Sequence, residues 1–315
     1  IVTQTDFDIV AINDLTSAED LAYLVKYDTV HRSFHEDEIT YEGDEIVVAG
    51  TKRIKVFSET DPANLPWGEL GVDLVLECTG KFTKFEDAKK HLDAGAKKVL
   101  ISAPGKGEMK TIVYNVNHND LTSEDTIVSA ASCTTNCLAP VLKVINDNIG
   151  IKKGFMTTVH AYTNDQATLD IAHKKGIKAR RGRACAQNIV PASTGAAKAI
   201  GLVIPDLLNK MDGNAFRVPV ADGSVIDVTL ELKKNTTVEE INKLFKDNQD
   251  ETLKYTEDPI VSSDIIGKKY GALVDGLSTS IVESDGTQLV KIVAWYDNEY
   301  GYTAQMLRTA KKMFE

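Results

Sequence analysis

Residues 132–137 read Ser-Cys-Thr-Thr-Asn-Cys, and the chemistry they could support is attack by a thiol. An apolar run over 126–132 precedes them, and Leu138, Val141, Leu142, Ile145 and Ile149 follow at helical spacing. Cys133 is therefore expected at a strand-to-helix junction. There the unpaired backbone N–H groups and the helix dipole favour a thiolate, the nucleophilic form. A lone cysteine is also commonly a small buried hydrophobe; the junction and the flanking hydroxyls of Ser132 and Thr134 favour the reactive reading. Cys137, one turn on, reads as a packing residue, and a C-x-x-x-C pair without a second pair is no zinc motif. No metal site is expected. A thiolate needs a proton partner, and six histidines are available. His31, His35 and His91 lie in polar or helical surface contexts, and His118 in a turn. His160 falls at the end of an expected strand, beside Thr163, and is the best candidate from position alone.

The elements that must position these groups come in two textures. Residues 7–14 read as a short strand, and 16–26 as a helix with two possible capping boxes, Thr16 with Glu19 and Ser17 with Asp20. Residues 72–80 are an apolar run, 84–95 a helix stopped at Gly95, and 97–105 and 126–132 strands again. Strand, helix, strand with near-continuous apolar strands is the pattern of a parallel sheet covered on both faces. Ligands bind such sheets beyond the carboxyl ends of the strands. Asp14, Thr79, Gly80, Ser102 and Cys133 all stand at or just after such ends. From about residue 150 the pattern changes. Ile226, Val228, Leu230 and Leu232 alternate, Asp285-Gly286 separates two strand-like runs, and Asp222-Gly223 marks another turn. Residues 303–315 read as a docked terminal helix.

Composition narrows the class. A chain of 315 residues exceeds the ~250–300 at which single cores stop growing, so two domains are expected. Hydrophobic residues are 43% and charged residues 26%, which excludes a disordered or collagenous protein. The formal charge of −10 argues against a sequence-independent nucleic-acid binder, and no nucleic-acid partner is expected. No apolar run reaches the ~18–20 residues of a membrane span. Four cysteines in so long a chain cannot form a disulfide framework, so a reducing, cytoplasmic setting is expected.

The stretch 131–140, ASCTTNCLAP, resembles the glyceraldehyde-3-phosphate dehydrogenase family. So do TTVHAYTNDQ (157–166), RRGRACAQNIVPASTGAAKAIG (180–201), RVPVADGSV (217–225), YTEDPIVSSD (255–264) and WYDNEYGYT (295–303), in family order from about residue 7 to the C-terminus. The resemblance implies an α/β fold: a Rossmann-type NAD-binding domain over 1–132 and 303–315, and an α+β catalytic domain with a largely antiparallel sheet over 133–302. It implies oxidation of glyceraldehyde 3-phosphate with NAD and inorganic phosphate, in a homotetramer. Cys133 would be the nucleophile and His160 its base. Ser132, Thr134, Thr194 and Gly195 would hold the attacking phosphate. Thr163, Asp165, Arg181 and Arg217 would hold the substrate phosphate, with Arg217 near both. Asp14, Thr79, Gly80, Phe82, Ser102, Asn298 and Tyr302 would bind NAD, with Asp14 on the adenosine ribose. The basic run Lys174, Lys175, Lys178, Arg180, Arg181 and Arg183 reads alone as a solvated loop; by resemblance it lines a neighbour's cofactor site.

Three departures qualify the resemblance. Ala172 stands where the family often has a proline after the Leu169-Asp170 step, and Thr60 where it often has an arginine. The family's N-terminal strand and glycine-rich turn are missing from this sequence, and the expectation is that they precede Ile1 in the protein. Three other functions stay open on the residues: an erythrose-4-phosphate dehydrogenase, a Cys–His hydrolase, and a non-catalytic binding protein on the same fold.

Overall fold

Capping and glycine placement start and stop the helices of the first half. The computed structural model describes residues 6–174, 176 and 178–315, so Lys175 lies outside the described residues. Ser17 accepts the amide of Asp20 and opens α1 (Ala18–Lys26), so the N-cap falls on Ser17 rather than Thr16. Strand β1 (Ala11–Asn13) runs parallel to β4 (Lys52–Phe57), and β3 (Glu45–Val48) and β2 (Ile39–Glu42) continue that sheet antiparallel. A second sheet holds β5 (Leu74–Glu77), β6 (Lys98–Ile101) and β7 (Ile127–Ser129), all parallel as the apolar runs predict. Helix α2 (Phe85–Asp93) presses Ala88 into the core with Val75, Val99, Ile101 and Ile127. It stops at Gly95, whose φ is 102° and whose Cβ, if present, would stand 2.5 Å from the Gly68 backbone. Only glycine satisfies both conditions.

The chain divides into two compact units. The first takes the chain up to Met109, with Ser123–Ser129 and Phe314–Glu315; the second takes Lys110–Thr122 and Ala130–Met313. Residues 303–313, expected with the first domain, therefore cluster with the second. Asp297 accepts the amides of Glu299 and Tyr300 at the start of α6 (Tyr300–Lys312), and the buried Gln305 accepts from Thr252.

In the second unit, α3 (Cys133–Asn148) is apolar all round over its middle and accordingly buried all round. Leu138, Val141, Leu142 and Ile145 are fully buried, each worth about 1.5–3 kcal/mol. The helix lies on a sheet that runs β9 (Val190–Ser193), β10 (Met211–Val218), β8 (Ile151–Ala161), β11 (Ser224–Leu232), β15 (Thr287–Tyr296), β13 (Ala272–Asp275) and β12 (Leu253–Thr256), with β14 (Ser280–Ser284) also on β15. It is largely antiparallel, but β8 and β10 are parallel, as are β12 and β13. Burial alternates without a break along β11, as its sequence predicts. Asp285 and Gly286 take φ of 51° and 73°, the left-handed pair of a two-residue hairpin.

Register does the positioning. Strand β8 carries an irregularity between Ile151 and Lys153, and from Gly154 onward its pairing is continuous. His160 stands beside Arg217 on β10, and Ser224 beside Tyr296 on β15. Residues in register on neighbouring strands share a face. His160, Arg217, Ser224 and Tyr296 therefore form one row on the face that α3 covers. The opposite face exposes Phe155 and Val159.

Candidate active site

The row meets the first turn of α3. Ser132 is the N-cap; its Oγ accepts the amide of Thr135 at 3.1 Å. Just before it, Ala131 is held at φ 59°, a conformation that costs a non-glycine residue about 1–2 kcal/mol. The hydroxyl of Tyr302 donates to the Ala131 carbonyl at 3.1 Å. Tyr296 ties helix to sheet, its buried hydroxyl 2.9 Å from Thr134 Oγ1 and 2.8 Å from Thr158 Oγ1.

Cys133 Sγ lies 3.3 Å from His160 Nε2. His160 Nδ1 is 2.7 Å from the Ala161 carbonyl, which can only accept. Nδ1 therefore carries the proton and Nε2 is bare, ready to receive one from the thiol. Arg217 Nη1 donates to the same carbonyl and to Thr163 Oγ1, both at 2.9 Å. The Thr163 hydroxyl donates to Asp165 Oδ1 at 2.8 Å, and Arg181 pairs with the other oxygen of Asp165. Thr163, Asp165, Arg181 and Arg217 thus form one hydrogen-bonded chain beside the Cys–His pair. Arg217 Nε and Asn298 Nδ2 are buried with no hydrogen-bond partner among the described residues. Asn298 is fixed by its other end: Ser224 Oγ donates to Asn298 Oδ1 at 2.6 Å and accepts the Ala161 amide at 3.1 Å.

Burial lowers His160 to about 4, and the charge of Arg217 adds to the effect. Burial also raises the Cys133 thiol, against the pull of Arg217 and of the Thr134 hydroxyl and amide. Burial thus opposes the pull of the helix N-terminus and of Arg217 on the Cys133 thiol. Asp165 is held below the ordinary carboxylate range: burial would raise it, but Thr163 and Arg181 prevail.

Thr194 and Gly195 follow β9 (Val190–Ser193) and open the next helix. The Thr194 hydroxyl accepts the amide of Ala196 at the start of α4 (Ala196–Val203). Ser193 pairs with Asn214, three residues along β10 from Arg217, or roughly 10 Å. In the first unit, the exposed Asp14 ends β1 and accepts the amide of Thr16. Thr79 and Gly80 follow β5; Gly80 has φ 69° and open space where a Cβ would stand. The Ser102 amide donates to the Glu77 carbonyl, and Phe82 packs edge-on to His91.

The family models match both halves. The glyceraldehyde 3-phosphate dehydrogenase C-terminal domain covers residues 132–298, and its NAD binding domain residues 1–85. The glyceraldehyde-3-phosphate dehydrogenases of Clostridium acetobutylicum and Clostridium pasteurianum are each 59% identical over 302 residues, 96% of this chain and 90% of theirs. That of Streptococcus pyogenes is 54% identical over 303 residues, 96% of this chain and 89% of its own. The chain belongs to the glyceraldehyde-3-phosphate dehydrogenase family.

The family's fold class is the one the resemblance implies, a Rossmann NAD-binding domain and a C-terminal domain. NAD is its cofactor. No helix among the described residues is long and apolar enough to cross a membrane. Two groups of residues escaped the motif reading. Ser224 and Tyr296 fall inside quoted motifs but declare themselves only through sheet register. His91, read as a surface residue, is 4% exposed because α2 turns it inward toward Glu77 and Trp67.

Proposed function

We propose that this protein oxidises glyceraldehyde 3-phosphate to 1,3-bisphosphoglycerate, with NAD and inorganic phosphate, through a thioester on Cys133. The observation that carries the proposal is the 3.3 Å contact of Cys133 Sγ with a bare His160 Nε2. His160 takes the thiol proton as sulfur attacks the aldehyde carbon, and returns it to the new oxygen to give a hemithioacetal. It then removes that hydroxyl proton as the carbon loses hydride, which leaves the thioester. NAD, when bound, supplies the hydride acceptor. Phosphate oxygen attacks the thioester carbonyl, the C–S bond breaks, and His160 returns its proton to sulfur. Amides at the start of α3 are suited to stabilise the oxyanions.

Thr163, Asp165, Arg181 and Arg217 would hold the substrate phosphate; the unpartnered Arg217 Nε supports this. Ser132, Thr134, Thr194 and Gly195 would hold the attacking phosphate. Asp14, Thr79, Gly80, Phe82, Ser102, Asn298 and Tyr302 would hold NAD. A cytoplasmic homotetramer completes the reading. Phe155, Val159, Phe216 and Leu289 stand exposed on the uncovered side of the sheet, as an interface requires; light scattering tests the tetramer.

The decisive experiment supplies aldehyde and NAD without phosphate. Mass spectrometry should find the acyl group on the Cys133 peptide, and added phosphate should release it. Cys133→Ser should bind NAD and form no adduct; retained turnover by that variant refutes the assignment. Parallel runs with erythrose 4-phosphate set the substrate preference.

A further inference from the structure

A buried chain of hydrogen bonds lies behind the Thr79-Gly80 turn, and the chemistry proposed above does not use it. Trp67, His91 and Glu77 are 5%, 4% and 4% exposed. Trp67 Nε1 lies 3.1 Å from His91 Nδ1. An indole N–H can only donate, so Nδ1 must be bare and the imidazole proton sits on Nε2. Nε2 lies 3.0 Å from Glu77 Oε2 and donates to it. The other oxygen, Oε1, receives the Thr79 amide at 2.8 Å and pairs with the Thr79 hydroxyl. Burial would raise the Glu77 carboxyl, but the donors on His91 and Thr79 hold it below its ordinary range. Glu77 is therefore a carboxylate that only accepts.

The consequence falls on Thr79. Its amide and its hydroxyl proton are both committed to Glu77. One lone pair of its Oγ1 takes the Lys81 amide at 3.1 Å. What remains for a ligand is one acceptor site, backed by a negative charge. A phosphate oxygen finds no donor on this side chain, whereas a sugar hydroxyl can donate to it.

We propose that Trp67, His91 and Glu77 are positioning residues that fix Thr79 as a hydrogen-bond acceptor, making it a seat for a ribose hydroxyl of NAD. This rests on the reading that Thr79 touches NAD, and the test separates the two. The chain has two tryptophans, so Trp295→Phe leaves Trp67 as the sole indole reporter. In that background, calorimetry gives the NAD dissociation constant for Thr79→Val, His91→Leu, His91→Gln and Glu77→Gln. Thr79→Val, His91→Leu and Glu77→Gln should each weaken NAD about tenfold, the scale of one hydrogen bond. KM for NAD should rise with kcat nearly unchanged. His91→Leu should also shift Trp67 emission. His91→Gln offers both an N–H and a carbonyl oxygen and should restore most of the affinity.

If Thr79→Val binds NAD as the parent does, the contact itself is wrong and the relay falls with it. If Thr79→Val weakens binding while His91→Leu shifts Trp67 emission and leaves affinity intact, the relay is refuted and the contact stands. Should His91→Leu fail to fold, Glu77→Gln decides, since it conserves volume; parental affinity there overturns the proposal.

Discussion

Ser224→Ala tests whether the Ser224 hydroxyl sets the Asn298 amide, which is proposed above to hold NAD. Ser224 is fully buried, so no water replaces its Oγ. Two groups lose their partner at once: the Ala161 amide, now 3.1 Å from Ser224 Oγ, and Asn298 Oδ1, now 2.6 Å from it. Each orphaned group costs about 1–3 kcal/mol, so stability should fall by about 2–6 kcal/mol. At about 2–4 °C per kcal/mol for a unit of this size, calorimetric unfolding should show a clear drop in Tm. The functional effect is separate. Without its anchor the Asn298 amide has two orientations, and only one presents Nδ2 as in the parent. Equal populations cost about twofold in affinity. Ordering the side chain adds about 0.5–1.5 kcal/mol, for a total loss of roughly 5–25-fold in NAD binding. Titration calorimetry well below Tm measures it. Because the effect runs through Asn298, the same change on an Asn298→Ala background should add nothing. A folded Ser224→Ala protein whose NAD affinity matches the parent's refutes the argument and leaves Ser224 a purely structural residue.

Two further outcomes are expected. His160 is lowered to about 4 in the fold from 6.5, so between those values the unfolded chain binds the extra proton and stability rises with pH. The contribution is about 3 kcal/mol at most; it is complete above pH 6.5 and lost as pH falls toward 4. Unfolding midpoints of His160→Gln should rise less steeply over that window, and an unaltered slope would show that another group titrates there. Asp14→Ala should narrow the preference for NAD over NADP, because a carboxylate at the end of β1 repels a 2′-phosphate; an unchanged ratio of kcat/KM means that Asp14 does not face the ribose.

Local signals in the sequence were strongest where one residue type leaves a single conformation or face available. The alternation of 224–232 and the Asp285-Gly286 turn determine a strand and a hairpin by themselves. The Ser132-Cys133 junction is legible because an apolar strand gives way to helical spacing at one point. His160 is legible as a strand end, but its partnership with Arg217 needs the parallel pairing of β8 and β10, which no local pattern encodes. The relay behind Thr79 was invisible for a related reason. His91 lies among lysines in KFEDAKKHLD, which reads as a solvated face, while its partners stand 14 and 24 positions away. Burial also opposes a sequence argument: the helix N-terminus favours the thiolate, while the surroundings of Cys133 raise its thiol.

The continuous pairing of β8 bears on how this protein can change over generations. From Gly154 to Ala161 the strand is bonded to β10 without interruption, and β11 flanks its other edge. Side chains alternate with period two, so one codon inserted between Gly154 and Val159 would carry His160 to the side where Phe155 now meets solvent. The same insertion at the irregularity between Ile151 and Lys153 could be absorbed, since the ladder already slips there. Descendants of this gene can therefore substitute residues in that strand without moving His160, but can change its length only at its beginning.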